Sequence, residues 1–422
     1  MIIPFHVIQM LKRLRKRFDE RTLPINTSSV GGNHQSFRPV RNASERSVRK
    51  YWDRLLLGGA SSSDQEQIAD PASLIHIGDY NRNIENFIGT VKVPVGIIGP
   101  LKINGLHASG SFNVPLATTE AALVASYGRG AMVASKSGGI DTAVLYEGVM
   151  RTPAFKFNHM VNSGLFVEWV VAHVEELRLV AEATTRHGKL ISIEPIIDTN
   201  IVFLICRYTT GDASGQNMVT IATNAMAEAI LERCPIAIDR WYIEGNFSGD
   251  KKASYLGLST GRGRKVSASV TLPAEKVKAY LGTTVEEMLE YGKVANLGSL
   301  LSGQLGAQAH YANGLAALYL ATGQDVACVS ESAVGFTRME ARGDNLFCSV
   351  TMPNILVGSV GGGTSLPSQT AALNILGLKG AGKGAALAEV TVALCLCGEI
   401  SIVAAIAARH FTKAHHSLAR LR

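Results

Sequence analysis

The sequence predicts a mixed α+β, multi-domain protein, with a large domain around a central helix and a smaller α+β domain inserted into it. Three observations lead there. The chain has 422 residues, 46% hydrophobic and 18% charged, enough apolar sequence for two or three domains and a large core. The run "ATTEAALVASYGRGAMVASKSGG" (117–139) is a long row of small side chains; helices made of Ala, Ser and Gly let neighbours approach closely, which suits the centre of a core. Residues 158–242 then alternate helix and strand in the manner of an inserted subdomain.

Residues 1–88 form a polar, basic N-terminal region with a helix expected near 45–57, followed by "GGASSSDQEQIADP" (58–71), which reads as a mobile turn or linker. The runs "VKVPVGIIGP", "LKING" and "ASGSFNVPL" predict a small antiparallel meander. The small-residue helix follows, with a Thr cap and Glu120 in its first turn. Residues 89–151 and 254–422 make up the large domain, 152–242 the small one, and 243–253 a connecting loop with Lys251. Within the small domain a helix (166–187) precedes two strands, "KLISIEPIIDT" and "NIVFLICRYTTG", then a helix after "GDASGQNM" and the run "IAIDRWYIEG". Beyond it come the strand "VSASVTLP", helices over 274–290 and 298–321, strands "LFCSVTMP" and "ILVGSV", the turn "GGGTS" and long C-terminal helices.

Charge and cysteine usage narrow the function classes. The net charge of +7 is concentrated in 10–18, 38–54 and 409–422, which suits an anionic ligand, a membrane surface or a plain solvated arm. Aromatics are too scarce for nucleic-acid stacking platforms, so no nucleic-acid partner is expected. The six cysteines show no CxxC pair and no metal-ligand spacing, which predicts reduced thiols, a cytoplasmic protein and no metal. Glu389 and Glu399 interrupt the most apolar segment, 386–408, so no transmembrane segment is expected.

Single residues carry little. Asp212, in "GDASGQNM", is a helix cap or part of a nucleotide site, since free N–H groups at a helix start also attract phosphate. Glu120 complements a helix dipole or presents a catalytic acid; Lys251 and Lys252 are surface lysines or a positioned ammonium; Asp325 reads as the cap of a short helix. "GSVGGGTS" (358–365) has the strand–turn–helix arrangement that cradles phosphate. No GxGxxG fingerprint follows a predicted strand, so a dinucleotide would bind a non-Rossmann domain.

In order along the chain, "ENFIGTVKVPVGIIGPL", "PLATTEAALVAS", "GDASGQNM", "GDKK", "ATGQD", "TMPNILVGSVGGGTS" and "HFTKAHHSLAR" resemble the 3-hydroxy-3-methylglutaryl-coenzyme A (HMG-CoA) reductase family over about residues 80–420. The separation of 74 positions from Lys251 to Asp325 is similar to that of the biosynthetic class of eukaryotes and archaea. The resemblance implies reduction of HMG-CoA to mevalonate and coenzyme A, with NADPH as cofactor (NADH possible). It implies Glu120, Lys251, Asp325 and His415 as catalytic residues, and Asp212, Gly215, Asn217, Met218, Arg186, Gly361, Gly362 and Gly363 on the dinucleotide. Ser126, Arg129, Arg151, Lys252, Lys293 and Asn313 would bind substrate, His310 aligns with a family histidine, and active sites would be shared in a homo-oligomer.

Departures leave alternatives open. Glu244 stands where the family usually has a small hydroxyl residue, and a carboxylate beside a substrate carboxylate costs binding unless a cation intervenes. Met132 and Tyr280 stand where some relatives have basic residues. The rivals are the same fold acting on another acyl-CoA, an NAD-linked mevalonate oxidiser, or a non-catalytic homologue that binds CoA ligands.

Overall fold

The computed structural model describes residues 8–10, 12, 13, 15, 16, 42–81 and 83–409. The chain forms two compact units, residues 1–91 and 92–422. In the first, the expected helix spans Glu45–Leu57, capped by Ser44. It buries Val48 and Trp52 with Ala69 and Phe87. The stretch read as a linker contains a helix, Ser62–Ile68. Its Ser and Asp are a capping box rather than loop composition: the Ser61 Oγ accepts from the Asp64 N–H (3.1 Å) and the Asp64 carboxylate from the Ser61 N–H (2.8 Å).

The second unit is built on an eleven-stranded mixed sheet: β1 Val95–Gly105, β2 Ser109–Ala117, β3 Ile140–Arg151, β4 Ala154–Lys156, β5 Lys189–Asp198, β6 Ile201–Thr209, β7 Arg240–Tyr242, β8 Gly263–Leu272, β9 Gly306–Ala307, β10 Gly335–Arg342 and β11 Asn345–Ile355. The main path runs β7-β4-β6-β3-β8-β11-β10-β9, with the β1–β2 hairpin joined to β3 and β5 to β6. The long strand β3 joins two regions, pairing with β8 through Asp141–Gly148 and with β6 through Val149–Arg151. Two expectations shift here. "ILVGSV" is mostly coil after β11. The strand that pairs with β11 is β10, which precedes it and was missed because its charged, exposed side chains hide its alternation.

The core helix, Gly384–Ala407, lies against β8, β11, β3 and the small-residue helix Leu123–Lys136. It is long and apolar enough to cross a membrane, but 83% of its most apolar window is buried inside the fold. Its acids are buried acceptors. Glu389 takes the N–H groups of His107 (3.0 Å), Ala108 (2.8 Å) and Val144 (3.2 Å), and Glu399 those of Ala309 and His310 (each 2.9 Å). Small residues set the helix crossing: a methyl group on Gly130 would overlap the Cys397 carbonyl, and one on Gly398 the Tyr127 ring. All six cysteines are free, five of them buried.

Candidate active site

Lys251 sits in the loop after β7 with φ 57°, a left-handed conformation uncommon for a residue with a side chain. Its Nζ lies 2.7 Å from Asp325 Oδ2, with both side chains almost half exposed. Asp325 is the cap of a short 3₁₀ turn, Val326–Cys328, as the sequence suggested; its Oδ1 accepts from the Ala327 N–H (3.0 Å), which leaves Oδ2 for the lysine. The hydrogen bond to Asp325 raises the Lys251 pKa above its ordinary value, so the side chain stays an ammonium.

Beneath this pair is a charged cluster. The Lys251 N–H donates to Glu331 Oε1 (3.1 Å), and Glu331 Oε2 lies 2.5 Å from Arg262 Nη1. Arg262 also donates to Gln216 Oε1 (2.8 Å) and lies 3.0 Å from Asp250 Oδ1. Arg151, expected on the substrate carboxylate, already pairs with Glu244 (3.0 Å) and Asp250 (3.1 Å) and is itself buried. Lys252 is exposed and donates to the Asp250 carbonyl (2.9 Å). Glu331, Arg262, Asp250, Gln216 and Asn354 were not singled out from the sequence. A lone acid in "ACVSESAVG" was the available signal, because a charge in an apolar run is buried only with a partner.

Glu120 belongs to a different group. It lines a cavity of about 1410 Å³ together with Ser126, Arg129, Lys293, His310 and Asn313, whereas Lys251 and Asp325 do not line it. The helix expected to carry Glu120 in its first turn begins at Leu123, because Ala122 takes φ 68° and breaks the run. Glu120 thus stands in the preceding turn, where its N–H donates to Thr118 Oγ1 (3.0 Å) and its Oε2 accepts from Asn313 Nδ2 (2.7 Å). Arg129 donates to the Ser401 carbonyl (2.7 Å) and Ser126 shares a hydrogen bond with Ser401 Oγ (2.9 Å). Lys293 pairs with Glu290 (2.9 Å), and His310 Nδ1 lies 3.1 Å from the Tyr127 hydroxyl. Met132 is exposed, while Tyr280 has the Lys136 ammonium over its ring at 4.9 Å. His415 lies outside the described residues.

The two glycine-rich turns meet. The Ser359 N–H donates to the Asp212 carbonyl (2.9 Å), and a Cβ on Gly358 would lie 2.7 Å from the Ser214 nitrogen. Asp212 is a cap, but of another helix: its oxygens accept from the N–H groups of Gly382 (2.7 Å) and Gly384 (2.9 Å) at the start of Gly384–Ala407. Burial works against the charge, yet those N–H groups and Arg264 outweigh it, so the Asp212 pKa lies below its ordinary value. Gly215 (φ 80°) opens the helix Gln216–Arg233 with no side-chain cap, and Asn217 is exposed on its first turn. Met218 receives a hydrogen bond from Thr185 (3.1 Å), which brings the turn carrying exposed Arg186 beside that helix start. Gly361 and Gly362 have positive φ with open space beside them, while a Cβ on Gly363 would lie 2.7 Å from the Gly323 carbonyl oxygen.

The sequence profile of hydroxymethylglutaryl-coenzyme A reductase matches residues 54–420. The chain belongs to the HMG-CoA reductase family. It is 40% identical to 3-hydroxy-3-methylglutaryl-coenzyme A reductase of Methanothermobacter thermautotrophicus, over 82% of this chain and 89% of that protein. It is 41% identical to the protein of the same name from Aeropyrum pernix, over 91% of each. A class II reductase structure from Streptococcus pneumoniae, bound to NADPH in open conformations, shares the fold with a TM-score of 0.62 at 17% identity, covering 86% of this chain and 100% of that one. The family is that of an oxidoreductase, and the mixed α+β class expected from the sequence is the one observed.

Proposed function

We propose that this chain reduces HMG-CoA to mevalonate and free coenzyme A with NADPH, at a site completed by two copies of the chain. The observation that carries the reading is the Lys251–Asp325 pair, an ammonium held 2.7 Å from a carboxylate on a left-handed turn. Placed beside a thioester carbonyl, that ammonium stabilises the developing oxyanion, an effect of about 3–4 kcal/mol for one well-aimed donor. The dinucleotide supplies hydride. Glu120, oriented by Asn313, donates a proton to the aldehyde oxygen in the second reduction. His415 protonates the departing thiolate, work suited to imidazole. Because the cavity of Glu120 does not include Lys251 or Asp325, the reading assigns them to facing subunits, with Ser126, Arg129 and Lys293 on the Glu120 side and Lys252 on the other.

The residues present fit a dinucleotide. The helix start at Gln216 has no side-chain cap, so its N–H groups remain for phosphate, and open backbone at Gly361 and Gly362 lies on the turn that touches Asp212 and Ser214. In this reading residues 152–242 carry the cofactor, with Asn217 and Met218 as contacts, Asp212 holding the turn, and Arg186 favouring NADPH over NADH. Arg151 is the cation that stands against Glu244. We place the protein in the cytosol. The test is HMG-CoA-dependent NADPH oxidation with mevalonate as product. Lack of turnover with both NADPH and NADH would overturn the reading, and full activity in Lys251→Ala would favour a role without this chemistry.

A further inference from the structure

We propose that Glu331 is a positioning residue for Lys251, holding its backbone so that the ammonium faces Asp325. The inference rests on the reading of Lys251 as the group that meets the thioester carbonyl. A left-handed backbone is unfavourable for a residue with a side chain, so the surrounding structure must hold it there. Here the Lys251 N–H is held by one oxygen of Glu331 (3.1 Å) and the other oxygen is held by Arg262 (2.5 Å), with both side chains only 1% exposed. Asn354 clamps the pair from below: its Oδ1 accepts from the Arg262 N–H (2.8 Å) and its Nδ2 donates to the Glu331 carbonyl (3.1 Å). Gln216 fixes the guanidinium from the side (2.8 Å). A buried ion pair adds little to stability over apolar residues of similar volume, so a pair that gives its spare oxygen to the lysine backbone has a use beyond stability.

Glu331→Gln separates these roles. The Lys251 N–H and Arg262 meet opposite oxygens of Glu331, so an amide would turn its NH2 group, itself a donor, toward one of them and lose that contact. The experiment is limiting acylation of the whole protein with acetic anhydride at alkaline pH, read peptide by peptide by mass spectrometry, alongside steady-state kinetics. Freed from Asp325, Lys251 loses the partner that holds its pKa up and should be labelled about threefold or more faster relative to exposed Lys156 in the same sample. kcat should fall about tenfold or more while both Michaelis constants change less than about twofold. The double variant Glu331→Leu/Arg262→Met, which removes both buried charges, should show the same labelling if the single variant fails to fold. An unchanged Lys251-to-Lys156 ratio in a folded variant overturns the inference alone. Wild-type turnover in Lys251→Ala would instead overturn the reading on which it rests, and the inference with it.

Discussion

Arg151 Nη1 lies 3.0 Å from Glu244 Oε2 and 3.1 Å from Asp250 Oδ2, so one buried guanidinium is divided between two carboxylates. Ser248 donates to the same Glu244 oxygen (2.9 Å), and the other Glu244 oxygen is buried without a hydrogen bond. In the proposed reading, where Arg151 meets the substrate carboxylate, the substrate competes with Glu244 for this cation. Glu244→Ser should therefore lower the Michaelis constant for the acyl-CoA about three- to tenfold, a gain of about 1 kcal/mol. Arg151 keeps Asp250, so the variant should remain folded. An unchanged Michaelis constant would sink the idea that Glu244 opposes the substrate.

The Lys251–Asp325 contact makes a prediction about pH. Its hydrogen bond raises the lysine above the ordinary value of 10.5, so the ammonium persists to higher pH than a free lysine would. Asp325→Asn removes the negative partner and should shift the alkaline limb of the kcat profile to lower pH. It should also reduce kcat on the order of 10²-fold, as loss of one aligned electrostatic group does. A variant whose alkaline limb stays in place would show that Asp325 does not govern this ammonium.

How much of this was legible beforehand follows from how local each signal is. The crossing at Gly130 could be anticipated because small side chains are themselves the packing device. The Asp325 cap and the glycine turns were visible for the same reason: turn chemistry lies within a few residues. Misreadings arose where tertiary contacts decide. Asp212 looks like the cap of the helix that follows it, yet it binds N–H groups about 170 residues away. Glu331 and Arg262 stand 69 positions apart, and no periodicity joins them. The ordered motifs singled out Glu120 and Lys251, but the residues that surround each one, Asn313 and Asp325 among them, come from distant parts of the chain.

Asp212 joins the turn before the helix Gln216–Arg233 to the core helix, and its contribution should depend on pH. Its folded pKa lies below the ordinary 3.8, so its stabilisation is complete above that value and fades as pH falls through the folded pKa. Asp212→Ala should be about 1–2 kcal/mol less stable than wild type near neutral pH, the usual cost of a lost helix cap. Urea unfolding at a series of pH values checks this. The gap should narrow below about pH 3.8, down to the lowest pH at which the wild type stays folded. A gap independent of pH would mean that the carboxylate charge is not what holds Gly382 and Gly384.

Gly130→Ala tests the crossing on which the second unit's core depends. In isolation the change favours a helix by about 1 kcal/mol, since alanine is the better helix former. In the fold the new methyl group would overlap the Cys397 carbonyl, and the obstacle is backbone of a buried helix rather than the end of a flexible side chain. The two helices must separate or shift, and the same interface holds Tyr127 against Gly398 and Gly314. Overpacking of about 1–3 kcal/mol or more should therefore outweigh the propensity gain, giving a lower thermal midpoint. The displacement should also reach the cavity, because Tyr127 hydrogen-bonds His310 (3.1 Å) and the Gly314 N–H (2.9 Å), one residue from Asn313, the partner of Glu120. A variant as stable as wild type would show that the crossing has slack which the close fit of these two helices denies.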